Sequence, residues 1–241
     1  GGEGEGEGEG IANAFVAQLE RPEHIVGDAS PQTARALAFA NGTFALVSDM
    51  SNDGGSFDVR GAGSSRCPVS FSDPAATDVV VLAYFDADGA CADTVSLDGD
   101  PDAGGSARVF AAAALPDGAL AIAGDVVNGG TFELATAGGG GVDVSLAAIV
   151  DGQEHAFVAV IDAAHDDVAS VVSTAPSSAV DLAAAGDGSL DVVARVTGDG
   201  AWDGVDVSVE GGTDSVVAHL TVDASATPPA PHVAAVAKSG V

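Results

Sequence analysis

Four stretches of the chain place apolar residues on both faces of an extended strand and centre on an alanine: "NAFVAQL", "VVVLAYFD", "HAFVAVID" and "SVVAHLTV". One face carries Phe15, Ala17 and Leu19, then Val81, Ala83 and Phe85, then Phe157, Ala159 and Ile161, then Val216, Ala218 and Leu220. The opposite face carries Val16, Leu82, Val158 and Val217, with polar residues only near the strand end, as at Asp86 and Asp162. A strand backed by solvent alternates apolar with polar, so this pattern predicts sheets with neighbours on both faces. The small alanines allow those sheets to approach closely.

The shared alanines, Ala17, Ala83, Ala159 and Ala218, lie 66, 76 and 59 residues apart, the mark of a repeat architecture. A second phrase follows each first one: "ALAFANGTFALVSD", "AAAALPDGALAIAGD", "DLAAAGDGSLDVVARV" and "HVAAVAKSGV". Each reads as apolar run, tight turn, apolar run, with Gly42, Gly118, Gly188 and Gly240 supplying the positive φ of a β-hairpin turn. The expected organisation is an acidic tail at 1–11 and a single all-β repeat domain at 12–241, with repeat phrases near 14–49, 80–125, 156–196 and 215–241.

The order of strand, DG turn, strand, variable insert, "AFVA-x-LD" and further strand resembles the β-propeller-type repeats of secreted proteins and lipoproteins of Gram-negative bacteria, myxobacteria in particular. The lysine usual in that phrase is replaced by Gln18, Tyr84, Val160 and His219, and inserts such as "FDVRGAGSSRCPVSFSDPAATD" lengthen the repeats. The resemblance implies antiparallel blades, about three and a half of them: the outer half of one repeat, two complete units and most of a third, ending inside a hairpin. A closed propeller needs at least about four blades. Open edges therefore invite completion by a longer parent protein or by another copy. A stacked β-sandwich is the alternative.

Composition narrows the function. With 36 acidic and 7 basic residues the formal charge is −29, which excludes a nucleic-acid partner and disfavours an anionic membrane surface. Self-repulsion of that size is screened by salt and suits a saline exterior, although a high-GC genome enriches Asp, Ala, Gly and Val by itself. Hydrophobic residues make up 46% of the 241 positions, ample for a core, and no stretch of 18 apolar residues reads as a membrane span. No initiator Met or basic leader is present, so export would imply a signal already removed. Cys67 and Cys91 fit one disulfide in an oxidising compartment or two unpaired thiols.

The tail "GGEGEGEGEG" reads as a flexible acidic leader, or, if extended, as a strand with Glu3, Glu5, Glu7 and Glu9 on one face, able to join a neighbouring sheet. No catalytic motif occurs; "GGSAR" at Ser106 lacks the closing glycine of a nucleophile elbow. Asp86 with Asp88, and Asp98, Asp100 and Asp102, space carboxylates two apart as calcium cages do, but neither set completes an EF-hand, and solvated turns compete. His155 and His165 are expected at the surface rather than on a shared metal. Asn41 in "NGT" serves a turn or a glycan, and Trp202 either fills a gap between sheets or stacks a sugar. The expectation is a non-enzymatic, secreted or surface-exposed structural protein that assembles with itself, without a cofactor beyond the calcium candidate. The alternative is a propeller module binding carbohydrate or protein through the inserts at 50–78 and 127–154.

Overall fold

The computed structural model describes residues 14–18, 21–26, 32–40, 43–51, 57–69, 78–99, 104–135, 141–146, 149 and 151–238. Glu3, Glu5, Glu7, Glu9, Asn41, Gly42, Asp100, Asp102 and Gly240 lie outside them. The described residues form an all-β, antiparallel structure without an α-helix: β1 (Ala14–Gln18), β2 (Arg21–Val26), β3 (Gln32–Ala40), β4 (Thr43–Ser51), β5 (Phe57–Arg60), a 3-10 turn (Ala62–Ser64), β6 (Arg66–Val69), β7 (Asp78–Phe85), β8 (Cys91–Gly99), β9 (Ser106–Ala114), β10 (Leu120–Val127), β11 (Gly130–Ala135), β12 (Gly141–Ser145), β13 (Glu154–Ile161), β14 (Val168–Ala184), β15 (Leu190–Val196), β16 (Gly200–Trp202), β17 (Val205–Val207), β18 (Asp214–Asp223) and β19 (Ala230–Lys238).

Strand pairing repeats with the sequence. Unit I is the meander β3-β4-β7-β8, and unit II runs β9-β10-β13 and the first half of β14. Unit III is the second half of β14 with β15, β18 and β19. A half unit, β1-β2, precedes them. Between its second and third strands each unit sends out an insert hairpin, and each insert pairs with the last strand of the unit before it: β5-β6 on β2, β11-β12 on β8, β16-β17 on β14. The described strands do not close into a ring.

The first hairpin of each unit shows why the DG phrases recur. Backbone pairs Leu115/Ala119 and Ala185/Ser189 close three-residue turns in which Gly118 and Gly188 take φ of 96° and 85°. There Asp117 and Asp187 accept from the backbone N–H groups of Ala119 and Ser189, so the aspartate before each glycine is spent on the turn. Unit I closes on Ala40/Thr43 instead. Five residues before each closing pair the first strand bulges, at Arg35, Phe110 and Val180. Three bulges at one repeat position are a designed bend rather than three accidents.

Packing follows the two-faced pattern. In β7, Val81, Ala83 and Phe85 join Leu46, Val59, Cys67 and Val69, while Val80, Leu82 and Tyr84 face unit II. In β13, Phe157, Ala159 and Ile161 pack towards unit I, and Ala156, Val158 and Val160 towards unit III. Trp202 is buried in that second core, as a plug between sheets.

Unit III departs from expectation. Along β15 and β18 burial alternates, and Asp191, Val193, Arg195, Ser215, Val217, His219 and Thr221 face solvent; Val217 has no neighbouring sheet among the described residues. β19 pairs along β18 as the fourth strand of unit III, and the turn expected at Gly240 lies outside the described residues.

Candidate functional site: a polar rim at the insert end

The end of the units from which the inserts emerge carries a row of charged side chains. Counting six residues from the closing position of each second strand gives Asp49, Asp125 and Arg195. Asp125 is buried; Arg108 Nε and Nη2 donate to its Oδ1 (2.8 Å) and Oδ2 (3.0 Å), and Ser178 Oγ donates to Oδ2 at 2.6 Å. Unit III thus reaches into the charged pair of unit II. Arg108 Nη2 also donates to Glu154 Oε1, and its guanidinium lies 5.6 Å from the Phe110 ring centroid. The hydrogen bonds to Asp125 push the Arg108 guanidinium above its already high ordinary value, with partial burial pulling the other way. In unit I, Arg35 Nε donates to Asp49 Oδ2.

These pairs border a groove of about 400 Å³ between units I and II, lined by Arg35, Asp49, Val79, Ser106, Arg108 and Glu154. A smaller hollow of about 240 Å³ between units II and III is bordered by Glu154, Ser178 and Arg195. Three of the seven basic residues of a strongly acidic chain therefore gather on one rim. Alternating guanidinium and carboxylate groups offer paired donors and acceptors to a polyol or a polar backbone.

His155, expected at the surface, is buried behind this rim, 1% exposed. Its Nδ1 lies 3.0 Å from the Ser173 carbonyl oxygen and its Nε2 3.1 Å from Asp151 Oδ1, so both ring nitrogens face acceptors and none faces a serine hydroxyl. The Gln153 N–H, and after it His155, holds the Asp151 carboxyl below its ordinary value. This histidine is a cross-strand tie that lets a polar ring sit in the sheet interior.

At the opposite, hairpin end, His165 stacks on Tyr84 with centroids 3.6 Å apart, and its Nδ1 lies 3.3 Å from Asp93 Oδ2. Burial, and after it the Asp93 and Asp162 carboxylates, pushes the Tyr84 phenol far up. Cys67 and Cys91 are joined in a disulfide with Cα atoms 5.9 Å apart. Around it Ser65 Oγ accepts from Cys91 N–H, Thr94 Oγ1 donates to the Pro68 carbonyl, and Ala62 N–H donates to Gly89. The bond fastens the β5-β6 insert to its own unit, while β5 pairs with the half unit before it.

Of the two calcium candidates, only Asp86 with Asp88 lies wholly within the described residues, and Asp100 and Asp102, which would complete the set at Asp98, lie outside them. Asp86 Oδ1 accepts from the backbone N–H groups of Asp88 and Ala90, which makes it the cap of the turn after β7. Asp98 lies buried near the far end of β8, roughly 20 Å of strand away. No group of three His, Cys, Asp or Glu able to hold a metal occurs among the described residues. Among them no helix is long and apolar enough to cross a membrane.

The paired rim escaped the sequence reading because each arginine is distant in sequence from its acid. Superposing "LVSD", "AIAGD" and "VVARV" on their hairpins puts Asp49, Asp125 and Arg195 in one column, the signal that was there to find. No family model matches the chain, and no curated protein matches it.

Proposed function

We propose that the chain is a non-enzymatic structural repeat protein that acts outside the cell or on its outer surface and assembles with copies of itself through the edges of its sheets. One observation carries the reading: β2, β8 and β14 each accept an insert hairpin along their outer edge, whereas β19, the equivalent strand of unit III, has none among the described residues. An edge of the kind that the fold extends three times internally is suited to strand addition from another molecule. The disulfide supports an oxidising location. The repeating four-stranded meanders, whose first strands β3, β9 and the second half of β14 lie against one another, support propeller-type blades and the resemblance to myxobacterial secreted repeats.

Sedimentation velocity and electron microscopy from low to 1 M salt test the proposal. With a charge of −29, association should strengthen as salt screens repulsion. A monomer throughout that range and at millimolar protein sinks it. The groove bordered by Arg35, Asp49, Arg108 and Glu154 favours a second reading, a module binding a carbohydrate or a polar peptide on this rim. Glycan-array binding that is lost in Asp49→Asn would establish it.

A further inference from the structure

The repeat allows each unit's surface to be compared with its equivalents, and unit I is uncovered at one place where units II and III are covered. Counting back three and one residues from the closing pairs gives Ala112 and Ala114 in unit II and Leu182 and Ala184 in unit III. Ala112 and Ala114 pack into the core shared with unit I, and Leu182 and Ala184 into the core shared with unit II. In each case the first strand of the preceding unit lies against them. The unit I equivalents are Leu37 and Phe39, 42% and 68% exposed. Phe39 leans on Phe44 at 5.8 Å, and Phe44 stacks on Phe85 at 4.8 Å, so an aromatic ladder rises out of the core to a bare surface.

A second observation coincides with the first. The third strand of every unit is paired on its inner side by the second strand: β7 by β4, β13 by β10, β18 by β15. β1, the third strand of the half unit, has β2 on one side and no strand on the other among the described residues. The β5-β6 insert, which extends the half unit's sheet, packs against Val81, Ala83 and Phe85 of unit I, and no pair of strands that would cover Leu37 and Phe39 and also pair with β1 occurs among the described residues.

We propose that this corner is an acceptor site for one β-hairpin of the repeat's own chemistry: an apolar strand with alanines on its docking side, a DG turn, and a second strand that pairs with β1. The continuity of the site with the two internal joints supports that occupant. Where units I and II meet, the small residues Ala36 and Ala38 of β3 oppose Ala112 and Ala114, so large Leu37 and Phe39 call for small residues opposite. Strand addition on β1 supplies main-chain hydrogen bonds, and the Leu37–Phe39–Phe44 surface supplies specificity. The inference rests on the reading of the chain as assembling through its edges and names what one edge takes.

The test is a fluorescence-anisotropy titration of the full chain with a labelled peptide of residues 107–126, the unit II hairpin, whose Ala111 and Ala113 are the equivalents of Ala36 and Ala38. Saturable binding is expected, with none for a scrambled peptide. Because Phe39 is mostly exposed, Phe39→Asp leaves the fold intact and should weaken binding about tenfold or more, while Phe39→Leu stays within about threefold. No saturation, or equal binding by wild type and Phe39→Asp, overturns the proposal. Sedimentation of the chain alone separates the two readings. Self-association abolished by Phe39→Asp and indifferent to the peptide overturns the hairpin site while leaving assembly intact. A monomer that binds the peptide keeps the site and removes self-assembly.

Discussion

Arg108 and Asp125 differ sharply in exposure, and the difference makes their removal unequal. The Asp125 side chain is 2% exposed and the Arg108 side chain 44%. Arg108→Ala strands a buried carboxylate to which the Ser178 hydroxyl still donates, which costs about 3–4 kcal/mol by the usual penalty for breaking a buried pair. Asp125→Ala leaves a half-exposed guanidinium that water can solvate and that Glu154 still meets, so the loss falls to about 2 kcal/mol. The double variant removes both charges at once and should cost about 3 kcal/mol, giving a coupling of roughly 2–3 kcal/mol in the cycle. Urea unfolding can be followed by the single tryptophan, Trp202, buried in the core between units II and III. The reasoning is refuted if Asp125→Ala costs as much as Arg108→Ala, or if the coupling is within about 0.5 kcal/mol of zero.

Reduction of the disulfide, or Cys67→Ser with Cys91→Ser, should lower stability by about 3 kcal/mol, read as coincident urea midpoints for the reduced wild type and the double variant. Gly124→Ala should cost more than about 3 kcal/mol or prevent folding, because a Cβ there would lie 1.8 Å from the Arg108 carbonyl oxygen. Gly186→Ala, which meets nothing within 4 Å, should fall within about 1 kcal/mol of wild type. The Asp162 carboxylate, and after it desolvation and then the Asp167 carboxylate, raises the carboxyl of Asp166. The folded state therefore holds that proton more tightly than the unfolded one, and its favourable contribution is present at low pH and lost as pH rises through the raised value. Asp166→Asn should accordingly raise the melting temperature at pH 7 relative to wild type and lose that advantage near pH 3. The depressed carboxyls of Asp187 and Asp223, each held by a serine hydroxyl and backbone N–H, work the other way, and Asp223→Ala should flatten the acid limb of the stability profile below about pH 4.

Hairpins and two-faced strands were legible because they are local: a DG turn between apolar runs needs only backbone geometry, and Leu82 beside Ala83 announces neighbours on both sides. The burial of Trp202 decides between the two roles that its place beside a turn leaves open. Less legible were features that depend on which strand meets which. β14 runs unbroken from Val168 to Ala184, serving one unit and then the next, and nothing in "STAPSSAV" marks the exchange. "HVAAVAK" carries the same small apolar residues as a first strand, yet pairs as a fourth because β18 precedes it directly. His155 was misplaced because burial of an imidazole depends on partners such as the Ser173 carbonyl, which sequence spacing does not reveal. The rim pairs were hidden for the same reason.

The insert hairpins bear on how the chain comes to be folded as it is made. The sheets of the half unit, unit I and unit II are each extended by strands that belong to the following unit, so β8 waits for β11, synthesised some thirty residues after it, before its edge is covered. A growing chain leaving the ribosome therefore always trails an unfinished edge, which the next unit closes while opening its own. Truncation at any unit boundary leaves a sticky fragment rather than a smaller soluble repeat, and the joints between units, each crossed by a strand of its successor, resist separation more than flexible tethers would.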